Sequence, residues 1–540
     1  MSENLPAPET PRIERASAWA PLRLPTFRML WLAWFASNVC MWMNDVAAAW
    51  LMTSLTTSPT LIALVQTASS MPVFLLGLPS GALADIVDRR RYFMVAQAWI
   101  AANAAVIYAV AVAGWLSAPV LLALVFTNGM GLAMRWPVYA AILPELLSRA
   151  ELPAGLALNA VAVNGARVLG PLLSGAIIAA AGSQYVFALN FVVSIAAAIV
   201  LWRWKREVKP SVLPGERFIG AMRLGWQFVR ESPRMRNAVV RTASFFVHST
   251  ALLALIPLVA KQLGGGAEEY TLLFSCLGLG AIFSATQLPR MRGSWNRDQI
   301  AVGGSILHAI ATAVVAFAPN TWVAAPAMFA GGMGWIVVAN SVTVAAQLAL
   351  PDWVRARGMA IYQMAIMGGS ALGAAIWGKL AELTSVPDSL ALASVSMLIA
   401  LVATWNRTLE GTEDHTPTHP FDEPVPARAI DLNEGPVMVT IEYFIDPARS
   451  AQFDAVMAET RGARLRAGAV SWGLFEDLER PGRFVEYFAC DTWVDYLRRF
   501  DRFTAADERL HEQRHALHIA EGPPRLSRHV ARHPPRSQEK

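Results

Sequence analysis

GALADIVDRRR (Gly81–Arg91) separates two long apolar runs of the sequence. Residues 61–84 before it and 92–113 after it are each long enough to cross a bilayer, because about 20 helical residues span the hydrocarbon core. Three consecutive arginines are too costly to place in lipid, so they mark a connection at the membrane surface. The stretch therefore predicts two transmembrane helices joined by a short, basic loop.

Apolar runs of similar length continue on both sides of this pair. Of the 540 residues, 55% are hydrophobic and 16% are charged, whereas soluble proteins carry about 25% charged residues. A backbone in lipid must satisfy its own hydrogen bonds, so such runs are expected to be helices. We predict an α-helical membrane protein with twelve spans, near residues 28–52, 61–84, 92–113, 119–143, 155–181, 184–203, 238–262, 271–289, 299–318, 321–349, 358–380 and 388–405.

Lysine and arginine are concentrated in alternate connections between these spans. The intervening connections contain neither residue, and they lie near 53–60, 114–118, 182–183, 319–320 and 381–387. By the positive-inside rule, both termini are expected in the cytoplasm. The net charge of +5 is then a signal of topology and does not indicate a nucleic-acid partner.

The spans fall into two groups of six, separated by a polar break. FTNGMG at 126–131 recurs as FAGGMG at 329–334, and residues 154–170 align with 357–373 at the same offset. We therefore predict two six-helix repeats, which are typical of secondary transporters. Residues 216–231 in the break have helical periodicity and form an amphipathic helix that lies either on the membrane surface or against the bundle.

A second change of composition follows the last span. The segment 406–436 is polar and rich in proline, and the pattern beyond it predicts strand, helix, two strands, one long helix at 492–520 and a final strand. That order is the ferredoxin-like α+β unit, which would face the cytoplasm. The expected domains are an N-terminal cytoplasmic segment at 1–27, a first bundle at 28–203, a cytoplasmic linker at 204–237, a second bundle at 238–405, a linker at 406–436, the α+β domain at 437–531 and a tail at 532–540.

GALADIVDRRR resembles the signature loop of the major facilitator superfamily. The matching positions are Gly81, Leu83, Ala84, Asp85, Arg89 and Arg90, whereas Ile86 and Asp88 depart from the pattern. The resemblance implies that Gly81 lets helices approach closely. It also implies that Asp85, Arg89 and Arg90 form gating contacts at the cytoplasmic end, with Asp85 near Arg357.

GPLLSG at 170–175 resembles the fifth-helix motif of exporters in the same superfamily. Gly170, Pro171 and Gly175 would bend this helix and pack it tightly against the other half. The arginine that the superfamily usually carries on its fourth helix, just before the glycines of NGMG, is absent.

Over its whole length the chain resembles the branch that includes the enterobactin exporter, through stretches such as FRMLWLAWFASNV, PDWVRARGMAIYQ and the tail sequence RAGAVSWGLFEDLERPGRFVEYFACDT. The resemblance implies a multi-pass exporter of a small amphipathic molecule, such as a siderophore or a drug, in the bacterial inner membrane. The chain contains no phosphate-binding loop of the GxxxxGK[ST] type. Protons are therefore the expected source of energy, and no cofactor or metal is expected.

Charged residues inside the spans are the candidate transport site, because a charge in a bilayer usually faces a cavity or a partner. We favour Arg167 with Asn164 on its stripe of span five, and Asp45 with Asn38 on span one. We predict that Arg167 pairs with Asp45 in one state, and that protonation of Asp45 frees Arg167 for an anionic substrate group. Alternatively, Arg167 hydrogen-bonds helix-end carbonyls. Three further residues are weaker candidates, and they are Arg135, His248 and His308. We expect Arg135 nearer the cytoplasmic end.

The C-terminal domain leaves two other readings open. It resembles dimeric α+β barrel domains of monooxygenases and haem-degrading enzymes, in which Trp472, His511, His515 and His518 would furnish a pocket. Fold alone does not imply catalysis. The domain is otherwise a dimerisation or regulatory module, which would make the chain a homodimer.

Overall fold

The computed structural model describes residues 19–148, 151–204, 218–351, 353–411, 416, 418, 420–421 and 424–532. Six long helices form the first half of a bundle, and they are α1 (Pro25–Leu55), α2 (Pro59–Ile86), α3 (Arg89–Val112), α4 (Ala118–Leu146), α5 (Leu152–Ala180) and α6 (Gln184–Arg203). A shorter linker helix, α7 (Phe218–Glu231), follows. The second half consists of α8 (Pro233–Gln262), α9 (Ala267–Met291), α10 (Arg297–Ala316), α11 (Thr321–Leu348), α12 (Arg355–Leu383) and α13 (Val386–Ala403).

The starts of several helices follow from capping residues. Ser58, Ser232 and Asn320 each accept a hydrogen bond from a backbone N–H in the first turn of the helix that follows. Asp88 does the same for α3, accepting from the N–H of Arg91 at 2.9 Å. The aspartate that departs from the superfamily signature therefore has a local role, because it satisfies a free N–H at the start of α3.

Of the twelve long helices in the described part of the chain, eleven have the length and composition of a membrane span, and α1 does not. It is 31 residues long, but it carries four tryptophans together with Asn38, Asn44 and Asp45, which lower its hydropathy. Asn38 and Asn44 are buried, and α1 packs against α5, α6 and α2 inside the bundle. We therefore treat α1 as the twelfth spanning helix, held by its neighbours rather than by its own hydrophobicity.

The two halves pack in the same way, which confirms the predicted six-helix repeat. The pairs α1–α5, α2–α4 and α3–α6 of the first half correspond to α8–α12, α9–α11 and α10–α13 of the second. Three pairs of glycines that are 203 residues apart make equivalent contacts in the two halves. Gly129 contacts α2, and its counterpart Gly332 contacts α9. In the same way Gly131 and Gly334 contact α3 and α10, and Gly170 and Gly373 contact α1 and α8. A Cβ at Gly332 would lie 1.9 Å from the carbonyl oxygen of Leu277. Only glycine fits at such a crossing.

The halves meet through α2 with α12 and α5 with α9, which are equivalent pairs in the repeat. At the end of the bundle with the arginine-free connections, Thr60 Oγ1 donates to Glu382 Oε2 at 2.6 Å, and Lys261 Nζ donates to the carbonyl of Thr53 at 2.5 Å. Trp50 and Tyr270 stack there at 5.5 Å. We call this the closed end, because side chains of both halves bridge it.

The linker helix α7 lies between the bundle and the C-terminal domain. A Cβ at Gly225 would lie 2.9 Å from Cβ of Arg357, so one side of α7 contacts the start of α12. Residues four apart on its other side contact the C-terminal domain, since Arg223 pairs with Asp491, Gln227 donates to the carbonyl of Ala469, and Glu231 pairs with Arg461. Of the two positions considered for this helix, the structure has the one packed against the bundle.

The C-terminal domain contains β1 (Val437–Phe444), α14 (Ser450–Arg466), β2 (Ser471–Glu476), β3 (Arg483–Cys490), α15 (Trp493–Asp501), α16 (Ala505–Ala516) and β4 (Arg525–Val530). The strands form one antiparallel sheet in the order β2–β3–β1–β4. The predicted ferredoxin-like fold is therefore confirmed. The single helix predicted at 492–520 was wrong, because Thr504 and Asp507 form a capping box that starts α16 as a new helix.

The core of this domain contains one fully buried carboxylate, Glu486 on β3. It accepts hydrogen bonds from Arg464 Nε at 2.9 Å, Trp472 Nε1 at 3.0 Å and the Tyr443 hydroxyl at 3.0 Å. Burial opposes its ionisation, but the charges of Arg464 and Arg514 and these donors outweigh burial and hold the pKa of Glu486 at about 2. The carboxylate is therefore a charged structural centre.

Glu486→Gln should destabilise the C-terminal domain by about 3 kcal/mol, because a buried ion pair that loses one partner leaves an uncompensated charge. We expect hydrogen exchange of β3 and α14 in the full chain to report this loss at neutral pH. The folded pKa lies below the ordinary value of about 4.3, so the stabilisation is present above that pH and disappears as the pH falls toward 2.

The matched control is Glu476→Gln, which makes the same change at an exposed position on the neighbouring strand β2. Equal protection of β3 in the two variants would show that Glu486 does not hold the domain together.

Candidate functional site

Arg167 lies on α5 between the two halves of the bundle. Its guanidinium is 4.5 Å from the ring centroid of Trp335 on α11 and 5.4 Å from that of Trp42 on α1. Its Nη1 donates to Oδ1 of Asn164 at 3.4 Å, one turn earlier on α5. Cation–π contacts with two rings offset part of the cost of keeping this charge away from water.

Three donors at this place lack an acceptor. Nε of Arg167, Nε1 of Trp42 and Nε1 of Trp335 are buried and have no hydrogen-bond partner in the part of the chain that the structure describes. A buried N–H without an acceptor costs about 1–3 kcal/mol. Asn164 is exposed on the same side of α5, which indicates that the gap between the halves opens away from the closed end. The arrangement can bind an anionic or acceptor group flanked by aromatic surface.

Asp45 lies on α1, nearer the closed end. Its Oδ1 accepts a hydrogen bond from Ser69 Oγ on α2 at 3.1 Å. Ser174 on α5 donates to the carbonyl of Met43 at 3.0 Å, which fixes the register of the parallel helices α1 and α5. Arg167 precedes Ser174 by two turns, so Asp45 lies roughly 12 Å further along the bundle axis. The predicted pair is not formed in this conformation and stays a prediction for another state.

Arg135 on α4 is another cation inside the bundle, with 1% of its surface exposed. It donates to the carbonyl of Ser37 at 3.2 Å and to Oδ1 of Asn38 at 3.5 Å, and it lies 5.0 Å from the ring of Trp34. The sequence indicated a position nearer the cytoplasmic end, because span four was expected to run inward from the outside. The contacts with Ser37 and Asn38 place Arg135 level with Asn38 of α1.

The two histidines occupy the second half of the bundle. His308 is fully buried on α10, and its Nδ1 lies 2.9 Å from the carbonyl of Gly331. His248 Nδ1 lies 2.6 Å from the carbonyl of Ser244, one turn earlier on α8, and its ring packs on Trp377. Neither histidine contacts Arg167, Asp45 or Arg135, so the structure does not bring them into the same site.

The arginines of the signature loop contact their own half of the bundle. Arg89 forms an ion pair with Glu145 on α4 at 2.7 Å, and Arg90 donates to the carbonyls of Leu201 and Trp202 at the end of α6. A Cβ at Gly81 would lie 4.0 Å from Cβ of Pro137, so none of the described side chains comes close enough to require glycine here in this conformation.

Of the remaining gating candidates, residue 85 and Gly175 lie where the halves touch, whereas Gly170 does not. The side chain of Asp85 lies outside the described residues, but α2 and α12 run antiparallel with Gly77 beside Met364, which brings residue 85 level with Arg357. A Cβ at Gly175 would lie 2.1 Å from Thr271 on α9. Gly170 contacts α1 within its own half, and Pro171 lies between them inside α5.

The four candidate residues of the C-terminal domain contact structural partners of that domain. Trp472 donates to Glu486, and His518 Nδ1 accepts from the N–H of Phe444 at 3.0 Å. His511 packs 3.9 Å from His515, and burial together with Arg514 and His515 lowers the pKa of His511 to about 3. Among the described residues, no group of three or more His, Cys, Asp or Glu side chains could hold a metal ion.

Sequence reasoning missed the two tryptophans that hold Arg167. Trp42 and Trp335 are 293 positions apart in numbering and lie in different halves. Two signals were present, because tryptophan is uncommon in the middle of a span and Trp335 directly follows the repeated FAGGMG stretch. Only the fold brings both rings to Arg167.

Several known proteins are similar to this chain. Enterobactin exporter EntS of Salmonella typhimurium is 22% identical over 380 residues, covering 69% of this chain and 90% of the relative. The protein of the same name from Citrobacter koseri is 21% identical over 383 residues, with the same coverage. These alignments cover about as many residues as the membrane bundle contains, and the curated relatives are named as exporters.

Solved transporters share the fold. The nucleoside transporter NupG superposes with a TM-score of 0.59 at 10% identity, covering 70% of this chain and 99% of that chain. The D-xylose-proton symporter has a TM-score of 0.58 at 14% identity, with coverage of 70% and 97%.

The family model described as transmembrane secretion effector matches residues 16–536. This match includes both halves of the bundle, α7 and the C-terminal domain. Together with the named exporters and the shared fold, it assigns the chain to multi-pass membrane transporters rather than to enzymes. The chain therefore belongs to the transmembrane secretion effector family, within the major facilitator superfamily.

Proposed function

We propose that this protein exports a small amphipathic molecule with an anionic group, such as a siderophore or an acidic drug, across the bacterial inner membrane in exchange for protons. The observation that carries the proposal is the contact of Arg167 with Trp42 and Trp335, where three buried donors have no acceptor among the described residues. A guanidinium binds carboxylate or phosphate oxygens in bidentate fashion. The flanking indole rings favour an apolar or aromatic body on the same molecule.

Asp45 is the proposed proton site. Protonated Asp45 leaves Arg167 free, so an anionic substrate binds from the end opposite the closed end. After Asp45 loses its proton to the cytoplasm and the halves move, its carboxylate competes for Arg167 and displaces the substrate outside. A proton from outside then releases Arg167 again. Protons and substrate cross in opposite directions in this cycle, with the arginine-rich end and both termini in the cytoplasm.

The gating residues fit the same scheme. Separation of the closed end requires the contacts of Glu382 with Thr60 and of Lys261 with Thr53 to break. Closure of the other end would bring the segment around Asp85 and Arg89 against the start of α12 at Arg357. Gly175 keeps α5 in contact with α9, so that region acts as a pivot between the halves.

We also propose that the C-terminal domain forms a homodimer. The face of its sheet away from α14 carries Phe475, which is 60% exposed, stacked on Tyr487 at 5.8 Å, and Met438, which is 41% exposed. A second copy of the same face would bury these side chains. The catalytic alternative has less support, because two of its candidate residues already have structural partners: Trp472 donates to Glu486, and His518 accepts from the N–H of Phe444.

The proposed export is tested by metabolite profiling of the growth medium. Cells that express the wild-type chain should accumulate at least one acidic small molecule in the medium that is absent from cells without the gene. Cells that express Arg167→Gln should lose that molecule, whereas Arg290→Gln, an exposed arginine outside the bundle interior, should retain it. Identical media from all four strains would contradict export.

Transport by reconstituted protein should reveal coupling between Asp45 and Arg167. Loss of a hydrogen bond to a charged group costs about 1.5–3 kcal/mol, so Arg167→Gln should slow efflux by roughly tenfold or more, and Asp45→Asn should abolish its dependence on a proton gradient. If the two residues act as a unit, the double variant should lose no more than the worse single variant.

The control cycle combines Asp45→Asn with Arg290→Gln, whose effects should multiply. Multiplying losses in the Asp45 and Arg167 cycle as well, with all variants inserted normally, would rule out the proposed pair.

A further inference from the structure

A second cavity lies away from the transport site, between the bundle and the C-terminal domain. It has a volume of about 650 Å³, which is within the range of ligand pockets at about 300–1,000 Å³. Five parts of the chain form most of its walls, and they are the end of α7, the start of α8, the connection between α11 and α12, α14, and α16 with the residues just before it. Its lining includes the exposed residues Arg236 and Arg509, so a soluble molecule has access.

The walls of this cavity are rich in arginine. Six guanidinium groups line it together with three carboxylates, and they are Arg230, Arg236, Arg461, Arg466, Arg502 and Arg509 with Glu231, Glu459 and Asp507. Two carboxylates are already engaged, because Glu231 pairs with Arg461 and Asp507 caps the start of α16. The cavity therefore carries excess positive charge.

Two exposed arginines of the cavity lack a counter-ion among the residues that the structure describes. Arg236 on α8 and Arg509 on α16 are both exposed and form no ion pair with any residue in the described ranges. They come from the bundle and from the C-terminal domain respectively. Guanidinium groups from two separate domains that face one cavity favour an anion that bridges them.

One wall of the cavity is aromatic. Trp353, in the connection between α11 and α12, packs edge-to-face on Phe228 of α7 at 5.7 Å, and the guanidinium of Arg502 lies 4.7 Å from its ring centroid. Nε1 of Trp353 is buried and has no hydrogen-bond partner within the described part of the chain. An unsatisfied donor and an apolar surface thus adjoin the arginines, which suits an acceptor group on a planar molecule.

We propose that this cavity is a binding site for a small soluble organic anion with a planar apolar part. The anion bridges the C-terminal domain and the connection that leads into α12, so its binding stabilises the docked position of the domain. This inference goes beyond the proposed export, because the cavity is separate from Arg167 and its occupancy is measured without transport.

The same positive charge would also attract the phosphate of an anionic lipid. The walls favour a soluble ligand, because α14 and α16 belong to the C-terminal domain, and α7 lies between that domain and α12. A lipid would have to keep its headgroup in the cavity while its chains return to the bilayer around α7.

The test uses the full chain in nanodiscs of zwitterionic phosphatidylcholine and fluorine NMR of two probes, 5-fluorosalicylate and monofluorophosphate. We expect saturable binding of 5-fluorosalicylate and weaker binding of monofluorophosphate, which lacks the planar part. The double variant Arg236→Gln with Arg509→Gln should weaken the binding of 5-fluorosalicylate by about tenfold or more, because two charge-assisted contacts are removed. The matched control, Arg290→Gln with Arg525→Gln, removes two exposed arginines elsewhere and should bind like wild type.

Ala463→Phe provides a second variant that keeps every charge but fills the cavity from α14, and it should abolish saturable binding. Absence of saturable binding by the wild-type chain, or equal affinity in the cavity and control variants, would overturn the proposal. Replacing half of the lipid with phosphatidylglycerol should leave binding unchanged. Displacement of 5-fluorosalicylate by that lipid would instead assign the site to a lipid headgroup, and it would overturn the proposal of a soluble ligand.

Discussion

The charge of Arg167 is the constraint on which the rest of the membrane domain depends. A guanidinium stays protonated at any physiological pH, and an unpaired charge within a bilayer is costly. This chain places it between Trp42 and Trp335, one from each half. Because each half contributes one ring, any movement of the halves changes the environment of the charge. Charge and conformation are therefore coupled by geometry alone, whichever molecule is transported.

The glycines of the repeat determine how that geometry is built. Gly170 allows α5 to lie directly on α1, and Gly373 allows the equivalent contact of α12 on α8. Close backbone contact makes each half rigid. The contacts between the halves are different in kind, since polar side chains such as Glu382 and Lys261 bridge them at the closed end. Rigid halves joined by replaceable polar contacts are suited to rocking between two states.

The sequence predicted the elements of this fold well and their junctions less well. Apolar length and arginine placement predicted every long helix to within a few residues, because bilayer thickness limits both. The prediction of one long helix at 492–520 in the C-terminal domain was wrong, since Thr504 starts a new helix inside a continuous helical pattern. At the site, intramembrane charge singled out Arg167 and Asp45, but spacing along one helix carries no information about rings on another. Trp42 and Trp335 therefore emerged only from the fold, as did the position of Arg135 beside Asn38.

The central claim is that protonation of Asp45 decides which end of the bundle is closed. The most direct measurement is the distance between spin labels at Thr57→Cys and Pro319→Cys, in connections of opposite halves at the closed end, after replacement of Cys40, Cys276 and Cys490. In lipid, the wild-type chain should show the short distance at acidic pH and gain a longer distance at alkaline pH. The Asp45→Asn variant should keep the short distance at both. The same distance distribution at both pH values in wild type, or an unchanged pH response in Asp45→Asn, would contradict the account.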